Sequence, residues 1–214
     1  SWSWKIVVGN DFLKDFAVQY NSNIIVVPTV VDTKYYHNPD LHKKVRANEI
    51  TIGWTGTHST LQYLNSISPL LSKLQKIPNV RILIIANQKP SFSFNFDFRF
   101  WKQDTEIEDL MEVDIGVMPL TKDTWSQGKG GFKIIQYFAL RIPALASPVG
   151  INKRLIRDGV NGFLCNDIDD WENNLKYLIN NRNERTRFGK NGRIFIEENY
   201  SVSASTSSFL SLFH

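Results

Sequence analysis

Two glycine-bearing segments hold the residues of this 214-residue chain best placed to do chemistry. The first is Gly53-Trp54-Thr55-Gly56-Thr57-His58-Ser59, where a strand-like apolar run gives way to a helix-like segment. Gly56 lets the backbone approach a ligand closely. Ligands of open α/β sheets bind at the carboxyl ends of strands, and free N–H groups at a helix start attract phosphate. Thr57, His58 and Ser59 add side-chain donors. A tight turn with a capping serine accounts for the segment equally well. The second is Gly128-Lys129-Gly130-Gly131-Phe132-Lys133, again between strand and helix. Three glycines and two lysines at a helix start suit an anion such as a diphosphate; plain solvation of Lys129 and Lys133 is the bland alternative. It is not a Walker loop, because the Gly-Lys-Ser/Thr ending is missing, and it is not a Gly-x-Gly-x-x-Gly dinucleotide fingerprint. Gln136 follows about one helical turn below Phe132 and Lys133, within reach of a sugar hydroxyl in the same cleft. Without that context it would read as an exposed helix glutamine.

The elements that must position these groups alternate between strand and helix patterns, which predicts an α/β fold with a mainly parallel sheet. Ile6 to Val8 and Ile24 to Val27 read as short strands, with a helix from Asp11 to Tyr20 between them. Thr33 to Ala47 is polar and irregular, and is taken as a linker or domain edge. Ile50 to Trp54 opens a fresh unit. A helix starting at Ser59, with Gln62 completing a capping box, carries the stripe Leu61, Leu64, Ile67, Leu71, Leu74. Val80 to Ala86 predicts a strand covered on both faces. Phe92, Phe94, Phe96, Phe98 and Phe100 alternate with polar residues and predict a strand with one apolar face, sheet packing being favoured over a ligand-stacking row. Thr105 and Glu108 predict a second capping box and a short helix to Glu112. Asp114 to Met118 and Pro143 to Ala146 read as strands, with a helix from the glycine loop through Leu140. Asp170 to Ile179, Glu184 to Glu198 and Ser201 to Phe213 read as closing helices.

Composition narrows the class. The chain is 42% hydrophobic and has a net charge of +4. So small and dispersed an excess suits an anionic ligand or an acidic membrane surface, and falls short of a nucleic-acid footprint. Cys165 is the sole cysteine, which excludes an internal disulfide framework and a multi-cysteine metal site and fits a reducing compartment. His37, His42, His58 and His214 show no metal-ligand spacing. Asn199-Tyr200-Ser201 is a glycosylation sequon by pattern only. No apolar run approaches the ~20 residues that span a bilayer. There is no initiator Met and no secretory signal, so the opening Ser1-Trp2-Ser3-Trp4 reads as a start inside a longer protein.

Several of these segments together resemble family 4 glycosyltransferases. Gly131-Phe132-Lys133-Ile134-Ile135-Gln136-Tyr137-Phe138-Ala139, followed by Ile142-Pro143-Ala144-Leu145-Ala146-Ser147-Pro148-Val149-Gly150, resembles that family's signature helix and strand. Asp158-Gly159-Val160-Asn161-Gly162-Phe163-Leu164 resembles its Asp-Gly-x-Asn-Gly-Phe-Leu turn. Val27-Pro28-Thr29-Val30-Val31-Asp32 resembles its interdomain crossover, and Asp114 to Leu120 its Ala-Asp-Val strand. The resemblance covers roughly Ile24 to Tyr200, in family order.

It implies a Rossmann-like parallel sheet flanked by helices, one half of a GT-B fold. Residues 1–32 would be a remnant of the acceptor domain and crossover, 33–200 the donor-binding domain, and 201–214 a tail helix packing back. The implied activity is transfer, with retention of configuration, of a hexose-type sugar from a nucleotide-diphosphate-sugar to a glycan or lipid-linked acceptor. A cytoplasmic bacterial polysaccharide pathway at the inner face of the membrane is the implied setting. No cofactor and no divalent metal are expected, and this fragment is expected to be inactive alone. Gly56, Thr57, Ser59, Gly130, Gly131 and Phe132 would hold the diphosphate; Lys129, Lys133 and His58 would supply catalytic charge. Gln136 would hold the ribose, and Trp101 and Lys102 would lie beside the base. Two departures stand out. Gly128 and Gln136 occupy the places of the family's glutamate pair, and the family's Arg and Lys after the first strand of this domain are missing. A subgroup with Gly-Trp-x-Gly and Phe-Lys-x-x-Gln-Tyr in these places, as here, shares them. The competing reading is a non-catalytic nucleotide-sugar or partner-binding module of the same fold. An epimerase lacks its catalytic carboxylates and histidine here, and a nicotinamide-dependent dehydrogenase lacks its fingerprint.

Overall fold

The structure is a computed structural model that describes residues 3–42 and 49–213. The last part of the linker segment, residues 43–47, lies outside the described residues, as do the opening Ser1-Trp2 and His214.

The chain opens with a small parallel unit. Strands β1 (Ile6–Val8) and β2 (Ile24–Val26) pair in register Ile6 to Ile24, joined through α1 (Asp11–Ala17). The six-stranded sheet that follows is parallel throughout. Its strands are β3 (Ile50–Gly56), β4 (Val80–Ala86), β5 (Asp97–Phe100), β6 (Ile115–Met118), β7 (Ala144–Ala146) and β8 (Gly162–Leu164), ordered β5-β4-β3-β6-β7-β8. Helices α2 (Leu61–Asn65) and α3 (Ser68–Leu74) join β3 to β4. Helix α4 (Glu106–Met111) precedes β6, and α5 (Thr124–Gln127) and α6 (Phe132–Ala139) lie between β6 and β7. The chain continues through α7 (Asn152–Leu155), α8 (Ile168–Asn180), α9 (Arg182–Asn199) and α10 (Val202–Leu210). This is the parallel α/β sheet that the alternation of patterns predicts, in the Rossmann-like form that the resemblance implies.

The central strands β3, β4, β6 and β7 are buried on both faces, and side chains along them alternate between two cores. Leu83 and Ile85 of β4 pack with Ile107, Leu110, Ile134, Phe138 and Ile196, which covers one face with α4, α6 and α9. Ile82 and Ile84 pack with Leu64, Leu71, Leu74, Trp171, Leu175 and Leu178, which covers the other with α2, α3 and α8. A period of two along the strand puts consecutive residues into different cores.

Four local expectations are corrected. The first helix stops at Ala17, not Tyr20. The helix expected from Ser59 is a 3-10 turn over His58–Thr60 followed by α2 and, after a break, α3; Pro69 at the start of α3 supplies no N–H to a continuous ladder. Its reciprocal cap is Thr57 with Thr60, whose Oγ1 accepts from the Thr57 N–H at 3.1 Å, while Gln62 donates to the Ser59 carbonyl. Of the phenylalanine row only Asp97–Phe100 forms a strand. Phe92, Phe94 and Phe96 instead fold their rings together, with centroids 5.1 to 5.8 Å apart, over the α3 side of the sheet. An edge strand has ladder partners on one side only, so ring packing there competes successfully with pairing. Finally, the Thr105 hydroxyl donates to Asp109 at 2.9 Å and does not form a box with Glu108.

The linker residues 32–42 lie across the α4–α6–α9 face. Arg193 of α9 is buried and pins them, donating to the carbonyls of Thr33 and His37 and to that of Ala139, all within 2.5 to 2.6 Å. Arg141 adds a two-pronged ion pair to Asp40. At the far end, Lys5 donates to the Leu212 carbonyl at 3.1 Å, and Val31 bridges Ser201. Among the described residues no helix is long and apolar enough to cross a membrane.

Candidate functional site

The strand order reverses between β3 and β6, and this is where a ligand crevice opens in such sheets. The two strands pair only at Ile52 and Gly53 and then part. Tyr137 of α6 fills the gap. Its hydroxyl accepts from the Thr55 N–H at 3.2 Å and donates to the Gly53 carbonyl at 3.3 Å. Full burial raises its pKa, so it stays a neutral phenol that holds the crevice at a fixed width.

Above the crevice stands the glycine loop. Gly131 is the N-cap of α6 with φ +70°, a left-handed conformation, and it brings no side-chain cap. The first-turn N–H groups of α6 are therefore left for a ligand or water. A Cβ on Gly131 would sit 2.3 Å from the Leu155 Cδ1, and one on Gly130 2.5 Å from the Thr29 Oγ1, so the loop is both bent and tightly flanked.

Lys129 and Lys133 converge here on an aromatic floor. The Lys133 ammonium lies 5.6 Å from the Trp54 ring centroid, and that of Lys129 lies 5.3 Å from Tyr63 and 5.7 Å from Trp125. Such contacts stabilise a cation by about 0.5–2 kcal/mol and leave its N–H donors free. Neither lysine joins an ion pair with a carboxylate among the described residues. Burial, and secondarily the charge of Lys129, pushes the Lys133 pKa down to about 8. Burial also lowers that of Lys129, with Asp123 opposing. Two partly desolvated lysines without a carboxylate ion pair among the described residues stand beside a helix N-terminus, an arrangement whose electrostatics favour an anion.

The remaining candidates divide. Gly56 continues β3 into the crevice rim. The Thr57 and Ser59 hydroxyls bond each other at 2.9 Å, and His58 is exposed, with its backbone N–H on Asn87 at 2.8 Å. Trp101 and Lys102 follow β5, two strands from β3 and so roughly 10 Å away across the sheet. The Trp101 backbone N–H donates to the Ala86 carbonyl at 2.9 Å, and its indole N–H donates to the Glu106 carboxylate at 2.9 Å.

Gln136 does not open onto the crevice. It is 2% exposed, and its amide nitrogen faces Nε2 of His37 at 3.3 Å. On α6 the pair Phe132 and Gln136 shares one face, toward the linker, while Lys133 and Tyr137 share the next, toward β3. Burial lowers the His37 pKa and keeps the ring neutral. With Nε2 accepting from the amide, Nδ1 carries the proton and has no partner. Phe132 is exposed and edges the same histidine, with ring centroids 6.4 Å apart. Sequence reading assigns no role to the aromatic floor, Tyr137 or His37: Trp54 and Tyr137 stand inside recognisable motifs, but only the fold shows what they meet, and nothing local marks Tyr63, Trp125 or His37. Among the described residues no cluster of His, Cys, Asp and Glu could hold a metal ion.

The family model for "Glycosyl transferases group 1" matches residues 93–195. A search of curated protein sequences finds no match. Among solved structures the chain is similar to a glycosyltransferase from Rickettsia africae (15% identity, TM-score 0.77), covering 98% of this chain and 62% of that one. It is similar to Anabaena HepE, solved in complex with UDP and glucose (13% identity, TM-score 0.76), again covering 98% and 62%. It is also similar to the C-terminal domain of the group 1 glycosyl transferase LpcC from Francisella tularensis (16% identity, TM-score 0.57), covering 80% of this chain and 99% of that one. The chain thus spans under two thirds of the length of the full glycosyltransferases it matches. The match of residues 93–195 to the group 1 glycosyl transferase model and the shared fold agree on what this chain is similar to: the C-terminal half of such a glycosyltransferase.

Proposed function

We propose that this chain is the donor-binding half of a retaining glycosyltransferase that takes a hexose-type nucleotide-diphosphate-sugar. The observation that carries the proposal is the pair Lys129 and Lys133, set on Trp54, Tyr63 and Trp125 beside the uncapped start of α6. As the bond from the anomeric carbon to the diphosphate breaks, the electron pair leaves with the diphosphate oxygen. Two lysines and the helix N-terminus offset that growing negative charge where water is partly excluded. No divalent metal is needed for this step. Residues 1–32 belong, on this reading, to the acceptor-side domain and crossover, and residues 201–214 to a tail that packs back toward it. The acceptor is a glycan or lipid-linked sugar of a polysaccharide pathway, bound largely outside this chain.

A second reading, a non-catalytic module of the same fold, is favoured by one observation: Gln136, which stands where the family holds ribose, is enclosed against His37. Calorimetric titration of UDP, GDP and their sugars separates the outcomes. Binding of a nucleoside diphosphate that is lost at least tenfold in Lys129→Ala and Lys133→Ala supports the donor site. No binding by the parent chain, or binding indifferent to both substitutions, removes it. Transfer with retained configuration by the full-length protein excludes the non-catalytic reading.

A further inference from the structure

Asn10 connects two parts of the chain that lie more than 110 positions apart. It is buried, and both ends of its amide are in use. Oδ1 accepts from the Leu13 N–H at 2.9 Å and so caps α1. That cap fixes the amide orientation and turns Nδ2 toward the glycine loop. Nδ2 donates to the Gly128 carbonyl at 3.0 Å and the Lys129 carbonyl at 3.2 Å, with the Gln127 carbonyl at 3.5 Å. Thr29, on the segment after β2, presses on the same loop from beside Gly130. The loop that carries Lys129 is therefore held by two residues of the opening βαβ unit, not by its own sheet alone.

We infer that Asn10, backed by Thr29, is a positioning clamp that fixes the 127–131 loop and thereby sets where the Lys129 ammonium stands. Asn10 acts through the carbonyls of Gly128 and Lys129. The consequence is that the opening unit and the anion site move together: any displacement of α1 is passed to Lys129 through one amide. For function the inference rests on the reading that Lys129 and Lys133 hold a diphosphate.

The cap and the clamp can be separated by substitution. Asn10→Ser keeps an oxygen able to cap α1 but loses both amide donors, and Asn10→Asp keeps the cap and the volume while turning a carboxylate oxygen toward the carbonyls. The lysines of the parent and variant chains are reductively methylated with 13C and titrated by NMR, with Lys129→Arg and Lys133→Arg assigning the signals. UDP affinity is measured in parallel. In Asn10→Ser, which adds no charge, the Lys129 and Lys133 signals are expected to titrate at higher pH than in the parent, because a released loop re-solvates Lys129 and relieves its repulsion of Lys133. UDP affinity is expected to fall roughly tenfold, the size of losing two ordinary hydrogen bonds. A fall in melting temperature without movement of the lysine titrations is a capping effect only and overturns the clamp. So does unchanged UDP affinity in a chain that binds UDP. If the parent binds no UDP the nucleotide reading fails, and the lysine titrations still decide whether Asn10 positions the loop.

Discussion

Lys133 gives the site a pH dependence whose size follows from the structure. Burial against Trp54, with Lys129 nearby, brings its pKa down to about 8 from an ordinary 10.5. At pH 7 about nine-tenths of the free chain then carries the charge, and at pH 9 about one-tenth. If only the charged form takes a diphosphate, the apparent dissociation constant scales inversely with that fraction and rises about tenfold from pH 7 to pH 9. Stability of the ligand-free chain moves the other way. Its folded-state pKa lies below the unfolded one, so the unfolded chain binds more protons between about pH 8 and 10.5. The penalty for burying the ammonium is full below pH 8 and is relieved as pH climbs through that window. Calorimetric titration of UDP and thermal melts, each at half-unit steps of pH, read both trends. Lys133→Arg, whose guanidinium stays charged throughout, should flatten the binding profile; Lys133→Met should bind weakly at every pH and lose the upward trend in stability. Affinity constant between pH 7 and 9, or a fall of the same size in Lys133→Arg, would refute the placement of a half-buried, titrating lysine at the anion site.

Two further outcomes follow from the packing around the crevice. Tyr137→Phe leaves the buried Thr55 N–H without its acceptor, so urea denaturation should show a loss of about 1–3 kcal/mol; an unchanged midpoint would mean that the gap between β3 and β6 closes without the phenol. Gly131→Ala forces a side chain onto a backbone at φ +70° and into Leu155, so it should cost about 1–3 kcal/mol in stability and weaken UDP binding together; loss of neither shows that the loop relaxes freely.

The sheet was legible because its cues are short-range. Val80 to Ala86 and Ile115 to Met118 are apolar runs bounded by turns, and burial on both faces needs no more information than that. The short elements α5, α7 and β8 were not: with three or four residues each, they scarcely complete one repeat of the pattern that would announce them, and no apolar run marks them as it marks Ile115 to Met118. The phenylalanine row failed for a different reason. Its alternation is real, but whether an alternating segment becomes a strand depends on a partner edge, and here β4 takes only Asp97 to Phe100.

The same distinction governs the site. The convergence of Lys129 and Lys133 was readable, because three glycines and a helix start put two cations within one turn of each other. What the lysines rest on was not, since Trp54 of β3, Tyr63 of α2 and Trp125 of α5 come from three separate elements that only the tertiary fold brings together. Gln136 shows the limit most clearly. Helical periodicity sets it beneath Phe132, but periodicity is silent about which neighbour each helix face meets. The linker supplied that neighbour: Arg193 pins the carbonyls of Thr33 and His37, and His37 thereby closes over Gln136. A ribose that is to reach Gln136 must displace the His37 contact, so any role for this glutamine in holding a nucleoside requires the linker to move, and a chain in which Arg193 is replaced by Met is where that motion would be easiest to provoke.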